Sequence, residues 1–139
     1  MPELPEVQTV VNALNKSGLP GKIIHSVESP NGYEAVCDNH SLSEFQTFLY
    51  QKQILKILRR GKYIIIKLNS GYLLFHLRMT GRLIHELEIN TDIKYVSLQI
   101  NFLDKSKLFF QDTRKFGRAY ISKNLSWLEK RLGMEPLSV

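Results

Sequence analysis

The sequence contains a single cysteine, Cys37, and few histidines: His25, His40, His76 and His85. One thiol excludes an internal disulfide, and these residues do not have the spacing of metal ligands, so we expect no zinc within the chain. Long apolar runs are also missing, since stretches such as 64–66 and 73–75 are far too short to span a bilayer. The N-terminus lacks the basic and then apolar pattern of a signal peptide. We therefore expect a cytoplasmic protein with no membrane partner.

Acidic residues are outnumbered in this chain. Nineteen Lys and Arg stand against thirteen Asp and Glu, which gives a net charge of +6 and a pI near 9.5. Such a charge suggests a polyanionic partner without identifying one. The length of 139 residues, with 43% hydrophobic and 23% charged residues, fits one globular domain with one core.

The N-terminal segment has the pattern of an amphipathic helix. The apolar residues Val7, Val10, Val11 and Leu14 recur on one helical face, and the Gly and Pro residues at 18–21 then end the pattern. We predict a helix over residues 5–17. Its dipole would direct positive charge toward the first residues of the chain.

Most of the remaining sequence has the pattern of short strands separated by turns. In Val96 to Phe102, apolar and polar residues alternate, which is typical of a half-buried antiparallel strand. Hairpin turns are predicted at 69–71 and 103–106. The predicted strands are Ile23–Val27, Glu34–Cys37, Ile54–Leu58, Tyr63–Leu68, Tyr72–Leu77, Arg82–Leu87, Tyr95–Phe102, Leu108–Gln111 and Arg118–Ser122.

Two further helices are predicted, one over Ser41–Tyr50 and one over Leu125–Leu132. Gly133 and Pro136 would break the second of these, as at a domain boundary. The fold class is therefore mainly β with flanking helices: an antiparallel β-sandwich with an N-terminal α-helix and a C-terminal α-helix.

Three clusters combine cations with other polar or apolar residues, at Arg59–Tyr63, His76–Gly81 and Gln111–Arg118. Each has an ordinary structural interpretation. The first would be an exposed charged hairpin tip, Met79 a core residue, and Phe116 a core residue among solvated cations. However, a nonpolar side chain and an arginine on adjacent loops are also what a protein needs to wedge into a base stack.

The clusters occur in an order that a known family shares. MPELPEV at the start is followed by RRGKY, HLRMTGRL, DTRKFGR and the closing LGMEPLS. On these motifs, which extend over essentially the whole chain, the sequence resembles the formamidopyrimidine-DNA glycosylase/endonuclease VIII family of base-excision repair enzymes. The HLxM and RKFG motifs favour the formamidopyrimidine branch. The alternative of an unrelated basic β-sandwich does not account for the shared order.

The resemblance implies a bifunctional DNA glycosylase and AP lyase that removes oxidised purines, 8-oxoguanine and formamidopyrimidines, from double-stranded DNA. Its nucleophile would be the amine of Pro2, exposed when Met1 is removed, which forms a Schiff base with the sugar. An α-amino group has a reference pKa of about 7.7 to 8.0, so part of it is neutral near pH 7. Glu3 would be the adjacent proton shuttle in the elimination that nicks the strand.

The resemblance also implies roles for residues further along the chain. Lys62 would grip the phosphate of the damaged nucleotide, and His76 would be a second phosphate contact. Met79, Arg114 and Phe116 would fill the space of the displaced base, with Arg114 facing the opposite base. Glu6 would face the pocket, although a carboxylate that merely starts a helix is an equally good interpretation.

The sequence departs from the family pattern at two positions. Arg78 stands where HLGM enzymes have glycine, and would either shift the opposite-base preference or point into a groove. Met134 replaces a proline of the linker. The family's helix-two-turns-helix and finger domains are absent from these residues, so residues 1–139 are expected to be a single N-terminal catalytic domain. No cofactor is expected in this chain, and any zinc would belong to the missing finger.

The resemblance implies a monomer in the bacterial cytoplasm, associated with the nucleoid, whose partner is double-stranded DNA with an oxidised base or an abasic site. The alternative is a DNA-binding fragment or degenerate paralogue without activity. An intact Pro2-Glu3 pair together with Lys62 favours the enzyme, because a protein that only binds DNA does not need these residues.

Overall fold

The computed structural model describes residues 4–87 and 91–134. The helices are α1 (Leu4–Lys16), α2 (Leu42–Leu49) and α3 (Ser126–Met134). The strands are β1 (Ile24–Glu28), β2 (Ile54–Arg60), β3 (Tyr63–Leu68), β4 (Tyr72–His76), β5 (Arg82–Glu86), β6 (Val96–Phe102), β7 (Lys107–Gln111) and β8 (Arg118–Ser122). Short 3₁₀ turns occupy Glu34–Val36 and Ile93–Tyr95.

The described strands form two four-stranded sheets, in the orders β1-β6-β7-β5 and β2-β3-β4-β8. All neighbouring strands are antiparallel. The two sheets enclose the main core, to which Ile64, Ile66, Phe75, Ile100 and Phe110 contribute from alternate positions along their strands. The predicted antiparallel β-sandwich with a helix near each end of the chain is confirmed.

The second sheet is covered on its outer face as well. Tyr63, Ile65, Leu74 and Tyr120 form a second cluster there with Leu128 of α3. Strand β3 is therefore buried on both faces, which explains why its sequence is almost continuously apolar instead of alternating. Through this cluster, α3 lies directly behind the strand that follows the RRGKY turn.

The other two helices pack against the main core. Of the predicted apolar stripe, Val7, Val11 and Leu14 are buried in α1, and Val10 is partly buried against the core. Helix α2 begins with a capping box, in which the Ser41 side chain accepts from the Glu44 backbone N–H and the Glu44 side chain accepts from that of Ser41.

The predicted strand at Glu34–Cys37 is wrong, because residues Glu34–Val36 form a 3₁₀ turn. Their backbone hydrogen bonds are local: Val36 N donates to Tyr33 O at 3.3 Å and Cys37 N to Glu34 O at 3.0 Å. Only Cys37 makes a β-bridge, with Ala119. The apolar residues that suggested a strand instead place Val36 and Cys37 in the core.

Strand β6 is not half-buried, as its alternating sequence predicts, but buried along its whole length. Strand β6 lies between β1 and β7 in the sheet, so it has a neighbouring strand along both of its edges. Some of the polar side chains of β6 bond to one another and to β1, although Gln99 Oε1 is buried with no hydrogen-bond partner among the described residues. Asn101 Nδ2 donates to Glu28 Oε2 at 2.9 Å, and Asn101 Oδ1 accepts from Gln99 Nε2 at 2.8 Å.

Gly133 does not break the last helix, since α3 continues to Met134. A Cβ at Gly133 would meet nothing within 4 Å, so glycine does not mark a steric constraint there. Pro136, the other residue of the predicted break, lies outside the described residues.

Candidate nucleic-acid interface

The turn between β2 and β3 carries the RRGK sequence, and Gly61 adopts a φ of +56° at its tip. Arg59 Nε donates to Gln8 Oε1 at 3.0 Å, which ties the hairpin to α1. Arg60 Nη2 donates to Glu129 Oε2 at 2.8 Å, which ties it to α3. The first two cations are therefore structural, not simply an exposed charged tip, and they fix the turn that presents Lys62.

Lys62 and His76 lie close together because the register of the sheet pairs their strands. Tyr63, the residue after Lys62, is the direct partner of His76 across β3 and β4. The Tyr63 and His76 rings meet edge to face with centroids 4.9 Å apart. The predicted phosphate-binding pair is thus brought to one end of the second sheet.

The imidazole of His76 is held in one tautomer. The backbone N–H of Arg78 donates to His76 Nδ1 at 3.1 Å, so the neutral ring carries its proton on Nε2. Burial lowers the pKa of His76 to about 4, and the charges of Arg78, Lys62 and Arg131 act on it in the same direction. Near pH 7 the ring is neutral and offers an N–H donor instead of a charge.

Arg78 does not point into a groove beside the wedge. Its Nε is buried, and its positive charge acts on Tyr120, whose ring lies on the outer face of the second sheet. The backbone of Arg78 has a φ of +57°, the left-handed region that favours glycine. This conformation explains why glycine is found at this place in the HLGM form of the motif.

The three predicted wedge residues lie on the surface. Met79 is 50% exposed and Phe116 45% exposed, both unusual for large apolar side chains. Arg114 is also exposed, and its Cζ lies 5.2 Å from the centroid of the Phe116 ring. The interpretation of Met79 and Phe116 as core residues is therefore wrong, and a cation and an aromatic ring stand together at the surface as a wedge requires.

A buried carboxylate joins the two loops that carry the wedge. Asp112 is 1% exposed and accepts hydrogen bonds from Thr80 Oγ1, from Arg114 N at 3.1 Å and from Gly117 N at 2.7 Å. Thr80 follows Met79, and Arg114 and Gly117 flank Phe116. Asp112 therefore sets the distance between Met79 and the Arg114–Phe116 pair. The DTRKFGR motif begins with Asp112, but nothing in the sequence pattern indicates this role.

Tyr33 supports the same loop from behind. Its hydroxyl donates to the Lys115 backbone carbonyl at 3.0 Å, and Lys115 Nζ lies 5.3 Å from its ring centroid. Arg118 Nη1 donates to the carbonyl oxygens of Lys115 and Gly117, each at 2.9 Å. The Arg114–Phe116 segment is thus exposed in its side chains but fixed in its backbone.

The predicted catalytic residues Pro2 and Glu3 lie outside the described residues, as do the last residues of the LGMEPLS motif. Helix α1 begins at Leu4, and the Gln8–Arg59 hydrogen bond joins its first turns to the hairpin of Lys62. Glu6 is exposed in the first turn of α1. These positions leave both interpretations of Glu6 open.

A family model described as the formamidopyrimidine-DNA glycosylase N-terminal domain matches residues 1–119. The chain belongs to the formamidopyrimidine-DNA glycosylase family. The resemblance noted in the sequence motifs is thereby confirmed at the level of the family.

Two relatives in this family are similar along nearly the whole chain. The formamidopyrimidine-DNA glycosylase of Pelotomaculum thermopropionicum is 42% identical over 142 residues, which cover 99% of this chain and 50% of that protein. The enzyme of the same name from Protochlamydia amoebophila is 41% identical over 140 residues, 99% of this chain and 49% of that protein. The chain spans about half the length of the curated relatives it matches.

Solved structures of the family have the same fold. The Fpg protein of Lactococcus lactis in complex with DNA containing an abasic site has a TM-score of 0.82 at 31% identity, over 95% of this chain and 47% of that chain. The same protein with DNA containing Fapy-dG has a TM-score of 0.81 at 32% identity, over 94% of this chain and 48% of that chain.

The described residues do not indicate a metal site, a reactive thiol or a membrane-spanning helix. Within residues 4–87 and 91–134, no three His, Cys, Asp or Glu side chains are grouped so that they could hold a metal ion. Burial raises the pKa of the Cys37 thiol to about 12, which leaves it protonated and unreactive. No helix in the same ranges is long and apolar enough to cross a membrane.

Proposed function

We propose that residues 1–139 are the N-terminal catalytic domain of a bifunctional DNA glycosylase that removes oxidised purines from double-stranded DNA and then nicks the strand. The observation that carries this proposal is the convergence of two groups of residues in a member of the family. Lys62 and His76 lie at the same end of one sheet, and Met79, three residues after His76, is linked through Thr80 and Asp112 to the loop of Arg114 and Phe116. The Lactococcus lactis relatives, which are complexes with lesion-containing DNA, support it.

The wedge acts first in the proposed reaction. Removing a base from a duplex requires that the nucleotide leaves the stack, which costs a few kcal/mol. Met79 and Phe116 would enter the vacated space, and Arg114 would hydrogen-bond to the opposite base. The backbone bonds to Asp112 hold these side chains ready, so that little further ordering is needed when DNA binds.

Lys62 and His76 would hold the backbone of the displaced nucleotide. The ammonium of Lys62 supplies charge, while neutral His76 donates its Nε2–H to a phosphate oxygen. The hairpin that carries Lys62 is bonded to α1 through Arg59 and Gln8, and Pro2 is two residues ahead of the start of that helix. Connectivity therefore limits how far the amine of Pro2 can lie from the clamped sugar.

The covalent step would use the amine of Pro2 after removal of Met1. Its nitrogen attacks C1′ of the deoxyribose, the bond from C1′ to the damaged base breaks, and the base leaves with a proton. The sugar ring opens to give an iminium ion, and loss of a proton from C2′ then expels the 3′ phosphate. Glu3 would carry these protons, with Glu6 as a second acid near the pocket. No cofactor in this chain takes part.

The test is borohydride trapping of the iminium under single-turnover conditions, with an 8-oxoguanine duplex and an abasic duplex. Intact mass first shows whether Met1 is removed. We expect a covalent adduct that peptide mapping places on Pro2, and an adduct again with Pro2→Gly, because an N-terminal amine remains. An adduct on Lys62, or one that persists at full yield when the terminal amine is blocked, would overturn the role of Pro2.

The same experiment separates an enzyme from a protein that only binds. Duplex binding without any trapped adduct in a protein whose Met1 is removed would support the DNA-binding fragment and contradict the proposal. The 139 residues alone are expected to bind weakly and turn over little, because the relatives are twice as long and affinity depends on the number of phosphates contacted.

We propose that the protein acts as a monomer in the cytoplasm of a bacterium.

A further inference from the structure

Helix α3 brings a cation toward the predicted phosphate-binding pair. Arg131, in its last turn, has its Cζ 5.1 Å from the ring centroid of Tyr120 and 5.3 Å from that of Trp127. The Tyr120 and Trp127 rings are themselves 4.8 Å apart. The guanidinium is thus held on two aromatic faces instead of moving freely, which lowers the entropy cost when it binds a further group.

The aromatic residues connect Arg131 to His76. Tyr63 lies between them, with its ring centroid 5.9 Å from Tyr120 and 4.9 Å from His76. Arg131 is also near enough to Tyr63 for the two groups to interact electrostatically. Arg131 is close enough to His76 that its charge acts on the imidazole. Arg131 therefore belongs to the same patch as Lys62 and His76, although it is about 70 residues from Lys62 in sequence.

The patch has the properties of an anion site. Lys62, Arg78 and Arg131 all place positive charge near His76, which is held neutral with a donor at Nε2. That Nε2 has no hydrogen-bond partner among the residues that the structure describes. The carboxylate of Asp38 also acts on Arg131, but three cations beside one neutral donor still favour an anion at this patch.

We infer that Arg131 is a further phosphate-binding residue, which contacts the backbone of the damaged strand beside the phosphate held by Lys62 and His76. The inference rests on the proposed function and extends its binding surface to α3. A planar guanidinium suits two oxygens of one phosphate, and its aromatic support fixes the plane. The ligand is a phosphodiester of DNA and not free phosphate, because the patch is continuous with the exposed wedge at Met79.

The test measures the salt dependence of binding to a duplex that contains an abasic-site analogue, by fluorescence anisotropy. Removing one phosphate contact reduces the slope of log K against log salt by about 0.9. We expect this reduction, and roughly tenfold weaker binding at low salt, for Arg131→Gln. Arg131→Lys keeps the charge and should keep most of the slope. Lys130→Gln is the matched control, since Lys130 is the exposed neighbour on the same helix with the same charge.

An unchanged slope for Arg131→Gln, or equal reductions for Arg131→Gln and Lys130→Gln, would overturn the inference. If Lys62→Gln reduces the slope while Arg131→Gln does not, this inference fails and the proposed function stands. If the unaltered protein does not bind the duplex at all, both fail. Full competition by millimolar inorganic phosphate at constant ionic strength would show that the patch takes free phosphate, and would also overturn the assignment to DNA.

A second measurement does not depend on DNA. The His76 imidazole is titrated by NMR in the same variants. Removing the charge of Arg131 should raise the pKa of His76, whereas Lys130→Gln should leave it where it is. No change with Arg131→Gln, in a variant whose thermal unfolding matches that of the unaltered protein, would show that the guanidinium does not reach the site and would contradict the inference.

Discussion

The hydroxyl of Thr80 donates a hydrogen bond to the buried carboxylate of Asp112, and this bond joins two loops that are 32 residues apart. One loop carries Met79. The other carries Arg114 and Phe116, and its backbone N–H groups donate to the same carboxylate. A single side chain thus organises a surface cluster whose members are themselves exposed.

Asp112→Asn should loosen this cluster. The amide can accept at only one of the two positions, so it leaves at least one buried donor without an acceptor, at a cost of about 1–3 kcal/mol. We expect a lower free energy of unfolding in urea and weaker binding to abasic-site duplex. Thr80→Val should give a smaller effect of the same kind, and the exposed Thr47→Val none. Unchanged stability in Asp112→Asn would show that the carboxylate does not hold the loops.

Phe116→Ala and Met79→Ala should act on DNA and not on stability. Both side chains are about half exposed, so their removal should change the free energy of unfolding by no more than about 0.5 kcal/mol. Excision from a duplex should fall about tenfold or more for Phe116→Ala, because the wedge no longer offsets unstacking. The control is Leu103→Ala, another exposed apolar residue, at the β6–β7 turn. An equal decrease on single-stranded substrate, where no stack is broken, would argue against a wedge.

Acid should destabilise the protein through His76. Its pKa is about 4 in the folded state against an ordinary 6.5, so between these values the unfolded chain binds a proton that the folded chain does not. Stability from this group is present above pH 6.5 and falls as the pH drops toward 4, with a slope of up to about 1.4 kcal/mol per pH unit. His76→Gln removes this component. We would measure the unfolding free energy of the unaltered protein and of His76→Gln from about pH 4 to 7. As the pH falls, the unaltered protein should lose more stability than the variant. A constant difference would contradict a neutral, buried imidazole.

Two glycines should respond to alanine in opposite directions. A Cβ at Gly117 would lie 2.4 Å from Cζ of the buried Phe110, so Gly117→Ala should destabilise by about 1–3 kcal/mol as the loop and ring move apart. At Gly133, inside α3, a Cβ meets nothing within 4 Å. Gly133→Ala should stabilise by up to about 1 kcal/mol, because alanine favours a helix. Thermal unfolding of both variants and of the unaltered protein tests this prediction. If Gly117→Ala is as stable as the unaltered protein, the loop is not closely packed against Phe110.

The sequence by itself determined the elements whose contacts are local or periodic. The stripe of Val7, Val10, Val11 and Leu14 predicts the core-facing side of α1, because a helix repeats about every 3.6 residues regardless of what covers it. The order of short motifs likewise determined the family, since each keeps its residue types wherever the chain folds. The capping pattern of Ser41 and Glu44 is local in the same way.

Only the tertiary structure decided the features that depend on partners distant in sequence. The polar side chains of β6 are buried although they alternate with apolar ones, and Val36 lies in a 3₁₀ turn although a strand is predicted there. The orientation of Arg78 toward Tyr120, the bonds of Asp112 and the approach of Arg131 to His76 arise from packing between segments far apart in the chain. Periodicity carries no information on such pairs, because a side chain's partner is set by which surfaces the fold brings together and not by its own neighbours.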